Sequence, residues 1–83
     1  DLEHTTFTVN KEATIEIAKQ LRLRDIGGII IIDYIDMQEK ENEEKIIELL
    51  KENLKKDRSK TQIVGFSKLN LLEMTRKHMW SSD

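Results

Sequence analysis

Several residue types that often mark a functional class are absent from this chain of 83 residues. Cysteine is absent, which excludes a disulfide framework and a thiolate metal site and fits a reducing compartment such as the cytoplasm. Proline is absent too, and no proline-marked linker, internal repeat or low-complexity tract divides the chain. No apolar run approaches the roughly 20 residues of a membrane span, and no signal-peptide pattern opens the chain. The composition favours one small domain without a membrane segment.

The chain also lacks a large excess of charge of either sign. The 14 Lys and Arg residues nearly balance the 16 Asp and Glu residues, which gives a formal net charge of -2. Bulk charge alone therefore does not predict a nucleic-acid binder. A chain of this length buries only about two-thirds of its unfolded surface, so we expect a thin core.

The most apolar stretch is a run of four isoleucines, residues 29–32, entered through Gly27 and Gly28. The run has no amphipathic period, which predicts a strand at 29–35 that is covered on both faces in a parallel or mixed sheet. Asp33 and Asp36 follow the run. In open α/β sheets, ligands usually bind at the carboxyl edge of such strands.

The remaining patterns predict an α/β fold, a small mixed sheet of about four strands with two amphipathic helices in the order β-α-β-α-β-β. Crossover connections predict parallel pairing of the first strands. The last two strands read as a hairpin, with a bulge or a bend at Gly65 and Asn70 in the left-handed region. The other elements are predicted as follows: a short strand at 5–9, a helix at 11–24 capped by Asn10 and ended by Gly27 or Gly28, a helix at 42–56, and strands at 61–66 and 71–75.

Asp33 is the first candidate functional residue. A carboxylate at a strand end can hold Mg²⁺, which takes one or two protein carboxylates and keeps waters and phosphate oxygens as its other ligands. Such an ion can activate water for phosphodiester cleavage. The structural alternative is that Asp33 caps the following loop and Asp36 is a solvated turn residue.

Cations form the second candidate site, because phosphate contacts need them. The alternative is a helix C-terminus decorated with lysines for the dipole. The acidic run 39–44 could attract metal ions, but its pattern favours a solvated helix start. The isolated His4 and His78 give no nucleophile–base pair. Trp80, Tyr34 and Phe66 could stack on RNA bases. The alternative is that these scattered aromatic residues pack in the core. The cations are Lys55, Lys56, Arg58 and Lys60, with Arg76 and Lys77 after the last strand.

Two separated blocks of the sequence form a recognisable signature. The first is AKQLRLRDIGGIIIIDYIDM at residues 18–37, and Asn10 with the helix after it matches the same pattern. The second is DRSKT at 57–61, followed by GFS at 65–67 and LLEMTRK at 71–77. Together these blocks resemble the signature of the ribonuclease E/G family. The resemblance implies that residues 1–77 form part of the DNase-I-like region of the catalytic domain, with 78–83 a flexible tail. Asn70 departs from the glycine that relatives often have.

The resemblance implies a Mg²⁺-dependent endoribonuclease of bacterial RNA decay and rRNA processing, specific for single-stranded RNA, with Mn²⁺ able to substitute. Asp33 would be one of two metal-binding aspartates, and the other would lie upstream of Asp1. Lys60 aligns with a basic position near the RNA backbone, and we expect Arg58 and Arg76 of the cation set to contact RNA with it. We expect the chain, which starts without an initiator methionine, to be an excised piece with little activity alone. Its expected partners are single-stranded RNA, the remaining domains of the parent ribonuclease and, since truncated edges invite pairing, a second copy in a homodimer. The alternative is a non-catalytic RNA-binding or scaffold module.

Overall fold

The computed structural model describes residues 1–79 and confirms the α/β class. The described residues form three strands rather than about four, in the order α-β-α-β-β. The elements are α1 (Leu2–Leu23), β1 (Gly28–Ile32), α2 (Lys40–Leu54), β2 (Thr61–Phe66) and β3 (Leu72–Arg76). None of the helices in this range is long and apolar enough to cross a membrane.

The predicted first strand, residues 5–9, is wrong, because these residues belong to α1. Asp1 caps the helix by accepting a hydrogen bond from the backbone of His4 (2.8 Å). Asn10, predicted as the cap, lies inside the helix. The β propensity of a short β-branched run is weak and yields to tertiary packing. Here the packing is a buried stripe at helical spacing: Thr6, Asn10, Thr14, Ala18 and Leu21.

α1 ends at a left-handed residue, but that residue is not a glycine. Asp25 has φ 49°, and the backbone of Ile26 donates to the carbonyl of Leu21 (3.0 Å), a Schellman-type ending. Gly28 has φ 91° and opens β1. Gly27 sits where an added Cβ would lie 2.9 Å from the carbonyl oxygen of Arg76.

The sheet order is β1-β3-β2, and both pairings are antiparallel, which corrects the predicted parallel pairing. The isoleucine strand ends at Ile32 rather than at the predicted residue 35, and it is not covered on both faces. Ile30 and Ile32 pack toward the core, whereas Ile29 is 82% exposed and Ile31 49% exposed. A strand buried on one face only can still carry four isoleucines, so the run does not report how many faces are covered. We call the uncovered side, carrying Ile29 and Ile31, the open face.

The hairpin of β2 and β3 agrees with its prediction. Strand β2 spans Thr61–Phe66 as predicted, and its register shifts between Ile63 and Gly65, the predicted bulge. Asn70 has φ 62°, in the left-handed region. The core lies between the other sheet face and the helices, and comprises Ala18, Leu21, Ile32, Tyr34, Met37, Ile46, Leu50, Leu54, Leu72 and Met74.

Candidate functional site

Asp33 follows β1 directly and is exposed. By strand alternation it projects on the same side as Ile29 and Ile31, the open face. Within residues 1–79 its carboxylate accepts no hydrogen bond and forms no ion pair. The capping alternative for Asp33 is therefore wrong in the described part of the chain. The start of α2 is held instead by Glu3, as described below.

The donor set around Asp33 fits one position of a metal site rather than a complete one. Among the described residues there is no group of three His, Cys, Asp or Glu side chains that could hold a metal ion. An exposed carboxylate without a partner can serve as one of the one or two carboxylates that Mg²⁺ usually takes from a protein. The acidic run 39–44 forms no metal cluster in this range.

Helix α1 holds the chain segment that carries Asp33. The side-chain amide of Asn10 donates to the carbonyl of Ile35 (2.9 Å) and accepts from its backbone N–H (3.2 Å). The hydroxyls of Thr14 and Tyr34 are 2.6 Å apart. Both Asn10 and Thr14 are buried. Burial raises the pKa of Tyr34, although the contact with Thr14 lowers it in part, so the phenol stays protonated at neutral pH.

Glu3 extends these contacts toward α2. Its carboxylate accepts from the backbone N–H groups of Gln38 (2.8 Å) and Glu39 (3.3 Å) and from the amide of Asn42 (2.6 Å). The backbone hydrogen bond of Gln38 and then the amide of Asn42 lower the pKa of Glu3. Glu3 thereby supplies the acceptor that the N-terminus of α2 lacks, since Glu39 makes no side-chain cap.

The exposed cations gather at the opposite end of the sheet. Lys60 precedes β2 and Lys77 follows β3, and the backbone of Lys77 donates to the carbonyl of Lys60 (3.0 Å). Both side chains line a surface cavity of about 450 Å³. Arg58 is exposed in the loop before Lys60. The cavity is completed by Gly28, Ile29, Thr61, Gln62, Thr75 and Arg76.

Arg76 was predicted to contact RNA, and the structure gives its side chain a different position. The guanidinium is 1% exposed and forms a bidentate pair with the carboxylate of Asp57 (2.7 and 3.1 Å). It also donates to the carboxylate of Asp25 (2.9 Å) and to the carbonyl of Ile26 (3.0 Å). Arg76 thus joins β3 to the loops before β1 and β2, and its buried guanidinium has no donor facing solvent for a phosphate.

The partner Asp57 is as deeply enclosed, with 2% of its side chain exposed. Burial alone would raise the pKa of Asp57, but the hydrogen bonds from Arg76 and from the backbone of Ser59 outweigh burial and lower it. The carboxylate is therefore charged at neutral pH and keeps the pair intact. This pair fixes the loop that carries Arg58 and Lys60.

Asp33 and the cation-lined end lie on one face but at opposite ends of β1. Gly28 pairs with Arg76, which pairs with Thr61, whereas Ile32 lies at the other end beside Leu72. A rise of about 3.4 Å per residue places the backbone of Asp33 roughly 17 Å from that of Gly28. The structure does not bring the carboxylate and the cations into contact.

Other candidate residues have structural positions. Tyr34 and Phe66 pack with ring centroids 6.0 Å apart at the core, which accounts for two of the three aromatic residues considered for stacking. The third, Trp80, lies outside the described residues. His78 and Met79, the first residues of the predicted tail, hydrogen-bond to Asp25.

Sequence reasoning missed the part played by Asn10, Thr14 and Asp57. One signal was present, since Thr6, Asn10, Thr14 and Ala18 recur at four-residue spacing and mark a helix face that is polar yet continuous. A face of this kind indicates hydrogen bonds to a neighbouring backbone rather than apolar packing. No comparable pattern connects Asp57 to Arg76 across 19 residues.

Comparison with known proteins gives consistent matches. A family model described as the Ribonuclease E/G family matches residues 1–79. Ribonuclease G of Salmonella typhimurium (strain SL1344) is 54% identical over 77 residues, which cover 93% of this chain and 16% of that protein. Ribonuclease E of Escherichia coli (strain K12) is 46% identical over 79 residues, or 95% of this chain and 7% of that protein. The chain thus spans a small part of the length of the curated relatives it matches.

Proposed function

Because the chain belongs to the ribonuclease E/G family, we propose that it forms part of the catalytic region of an endoribonuclease. The proposed substrate is single-stranded RNA, cleaved with Mg²⁺ or, in substitution, Mn²⁺. The proposed setting is RNA decay and rRNA processing in the bacterial cytoplasm. The observation that carries the proposal is Asp33, an exposed carboxylate without a partner among the described residues, on the same face as Lys60 and Lys77.

Each residue has a defined task in this proposal. Asp33 would ligate the metal, and a bound Mg²⁺ would activate water and stabilise the leaving oxygen. Lys60, Lys77 and Arg58 would contact RNA phosphates and fix the strand on the open face. Arg76 acts indirectly, since its pair with Asp57 holds the loop that bears Arg58 and Lys60.

The 83-residue chain alone should have little or no nuclease activity. It supplies one candidate metal ligand, and the described residues contain no complete ligand cluster. The test is cleavage of an AU-rich single-stranded RNA by the purified chain, with and without Mg²⁺. Mg²⁺-dependent cleavage that disappears in Asp33→Asn would contradict the predicted inactivity and would support Asp33 as a ligand within a self-sufficient site.

RNA binding can be tested without cleavage. We expect Lys60→Ala and Lys77→Ala each to weaken binding of a fluorescent single-stranded oligonucleotide, and to reduce the slope of log affinity against log salt by about 0.7 for each lost phosphate contact. Lys19→Ala is the matched control, because Lys19 is exposed on α1 and lines no part of the cavity. Equal losses in all three variants would show that general charge, rather than this cavity, attracts RNA.

A non-catalytic RNA-binding or scaffold module is the second candidate. The exposed Lys60 and Lys77 at the cavity favour it, since they can contact RNA phosphates without a metal ion. A Mn²⁺ titration followed by NMR separates the two candidates. Selective broadening around Asp33 supports the metal site, whereas broadening spread over the acidic start of α2 supports the module.

A further inference from the structure

The segment that bears Asp33 leaves the sheet immediately after β1. Residues 33–37 belong to no strand, so the ladder with β3 holds the chain only as far as Ile32, opposite Leu72. The carboxylate of Asp33 anchors nothing itself among the described residues. The backbone conformation at Asp33 must therefore be set by its neighbours.

Asn10 takes the place of a neighbouring strand. A primary amide presents one donor and one acceptor side by side, as a peptide group does, and Asn10 uses both on the backbone of Ile35 (2.9 and 3.2 Å). Asn10 is itself 2% exposed and sits in the middle of a 22-residue helix. Its amide is thus a rigid, dry partner for an otherwise unpaired segment.

Tyr34 supplies the second anchor, and the direction of its hydrogen bond follows from proton counting. The hydroxyl of Thr14 donates to the carbonyl of Asn10 (2.7 Å), which can only accept. The single hydroxyl proton of Thr14 is then used, so at 2.6 Å its oxygen accepts from the phenol of Tyr34. Residue 14 of α1 therefore orients the residue next to Asp33.

These contacts follow one path along the helix. Thr14 holds residue 34, Asn10 holds residue 35, and Glu3 holds the backbone of residues 38 and 39. As the loop advances, its partners step backward along α1, so the loop runs antiparallel to the helix. Asp33 lies between this path and the end of the sheet ladder.

We propose that Asn10, Thr14 and Tyr34 are positioning residues that fix the backbone around Asp33, so that its carboxylate is presented to a divalent cation in one orientation. This inference rests on the proposed metal-binding role of Asp33. The three residues do not touch the cation. They remove the conformational freedom that a carboxylate on an unpaired loop would otherwise lose on binding.

The test compares Thr14→Val, which keeps the shape and removes the hydroxyl, with Thr14→Ser, which keeps the hydroxyl. Tyr34→Phe removes the other hydroxyl and retains the ring in the core. In each variant of the 83-residue chain, Mn²⁺ is titrated while broadening of the Asp33 amide resonance is followed by NMR. Hydrogen exchange of the Ile35 amide is measured in the absence of metal. Ile63→Val on β2 is the control for a loss of core packing away from the loop.

We expect Thr14→Val and Tyr34→Phe to weaken the apparent Mn²⁺ affinity at Asp33 by about fivefold and to speed exchange at Ile35 by about tenfold. Thr14→Ser and Ile63→Val should leave both within about twofold. Unchanged Mn²⁺ affinity in folded Thr14→Val and Tyr34→Phe would overturn the positioning role. So would an equal loss in Ile63→Val, which would show that general destabilisation is the cause.

The two proposals fail in different ways. If Mn²⁺ produces no selective broadening at Asp33 in the unaltered chain, the metal-binding role falls, and the positioning inference falls with it. If Mn²⁺ binds at Asp33 and its affinity does not change when the hydroxyls of residues 14 and 34 are removed, only the positioning inference falls. Should Thr14→Val fail to fold, Tyr34→Phe tests the same hydrogen bond, because it removes the hydroxyl of the other partner.

Discussion

The substitution Asp57→Asn tests the central ion pair of the fold. In the intact pair, two guanidinium nitrogens of Arg76 donate to the two carboxylate oxygens of Asp57 at 2.7 and 3.1 Å. An amide offers one acceptor, turns its NH₂ group toward another donor and carries no charge. Arg76 then stays buried with one charged partner, the carboxylate of Asp25, besides the carbonyl of Ile26 and the single amide oxygen of the new side chain.

The expected loss is large for a domain of this size. Removing one partner of a buried pair costs about 3–5 kcal/mol, and because Asp25 remains we expect about 3 kcal/mol. The total unfolding free energy of a protein is about 5–15 kcal/mol, and a small domain lies near the lower limit. With a urea m-value of about 1 kcal/mol/M, the midpoint should fall by roughly 3 M.

Urea denaturation followed by far-UV circular dichroism at pH 7 measures the midpoint. The matched control is Glu41→Gln, because the carboxylate of Glu41 lies 3.3 Å from Lys45 in a pair whose side chains are 73% and 56% exposed. An exposed pair of this kind contributes about 0–1 kcal/mol. If Asp57→Asn shifts the midpoint no more than Glu41→Gln does, the buried pair does not hold the loops together, and the expected contribution of about 3 kcal/mol is contradicted.

Two further predictions concern acid and close packing. Since Arg76 lowers the pKa of Asp57, the pair stabilises the fold fully above the unfolded pKa of about 3.9 and loses this contribution as the pH falls through the folded pKa. The stability curves of the parent and Asp57→Asn should therefore converge below about pH 4, and parallel curves would contradict the shift. Gly27→Ala should cost about 1–3 kcal/mol, because its Cβ would lie 2.9 Å from the carbonyl of Arg76 and from the ring of His78. In Gly28→Ala, where φ is 91° and nothing lies within 4 Å, backbone strain replaces the clash at about 1–3 kcal/mol. A thermal melt of Gly27→Ala that matches the parent would refute the close approach.

Local patterns predicted the elements whose signals are local. The bulge at Gly65, the left-handed turn at Asn70 and the bounds of β2 depend on a few adjacent residues. Helix α2 is predicted at 42–56 and found at Lys40–Leu54, and its earlier start lies where Glu3, from another element, accepts hydrogen bonds. The contact between Glu3 and residue 38, 35 positions apart, leaves no mark on the local pattern of either segment.

The larger errors have physical causes. The helical state of residues 5–9 depends on a stripe of buried positions that continues through Thr14, so a window of five residues could not detect it. The four isoleucines were expected to be covered on both faces, but apolar content does not reveal whether a second layer exists. The RNA contact predicted for Arg76 rests on residue type, whereas the hydrogen bonds that bury its guanidinium involve residues as distant as Asp25, 51 positions away.

The position of Asp33 depends both on a local sequence pattern and on contacts between distant residues. The apolar run was readable from sequence and located a carboxylate directly after it. The end of the strand, at Ile32 rather than at residue 35, and its uncovered face were not readable. The conformation of the segment beyond it depends on Asn10 and Thr14, residue types with modest helix propensity in the middle of a helix. Because Asn10 and Thr14 occupy buried positions of the helix, apolar side chains are not buried there. Their hydrogen bonds instead fix the path of residues 34 and 35. Substituting leucine at both positions should therefore preserve or extend the helix while releasing the segment that carries Asp33, a combination that circular dichroism and hydrogen exchange at Ile35 can separate.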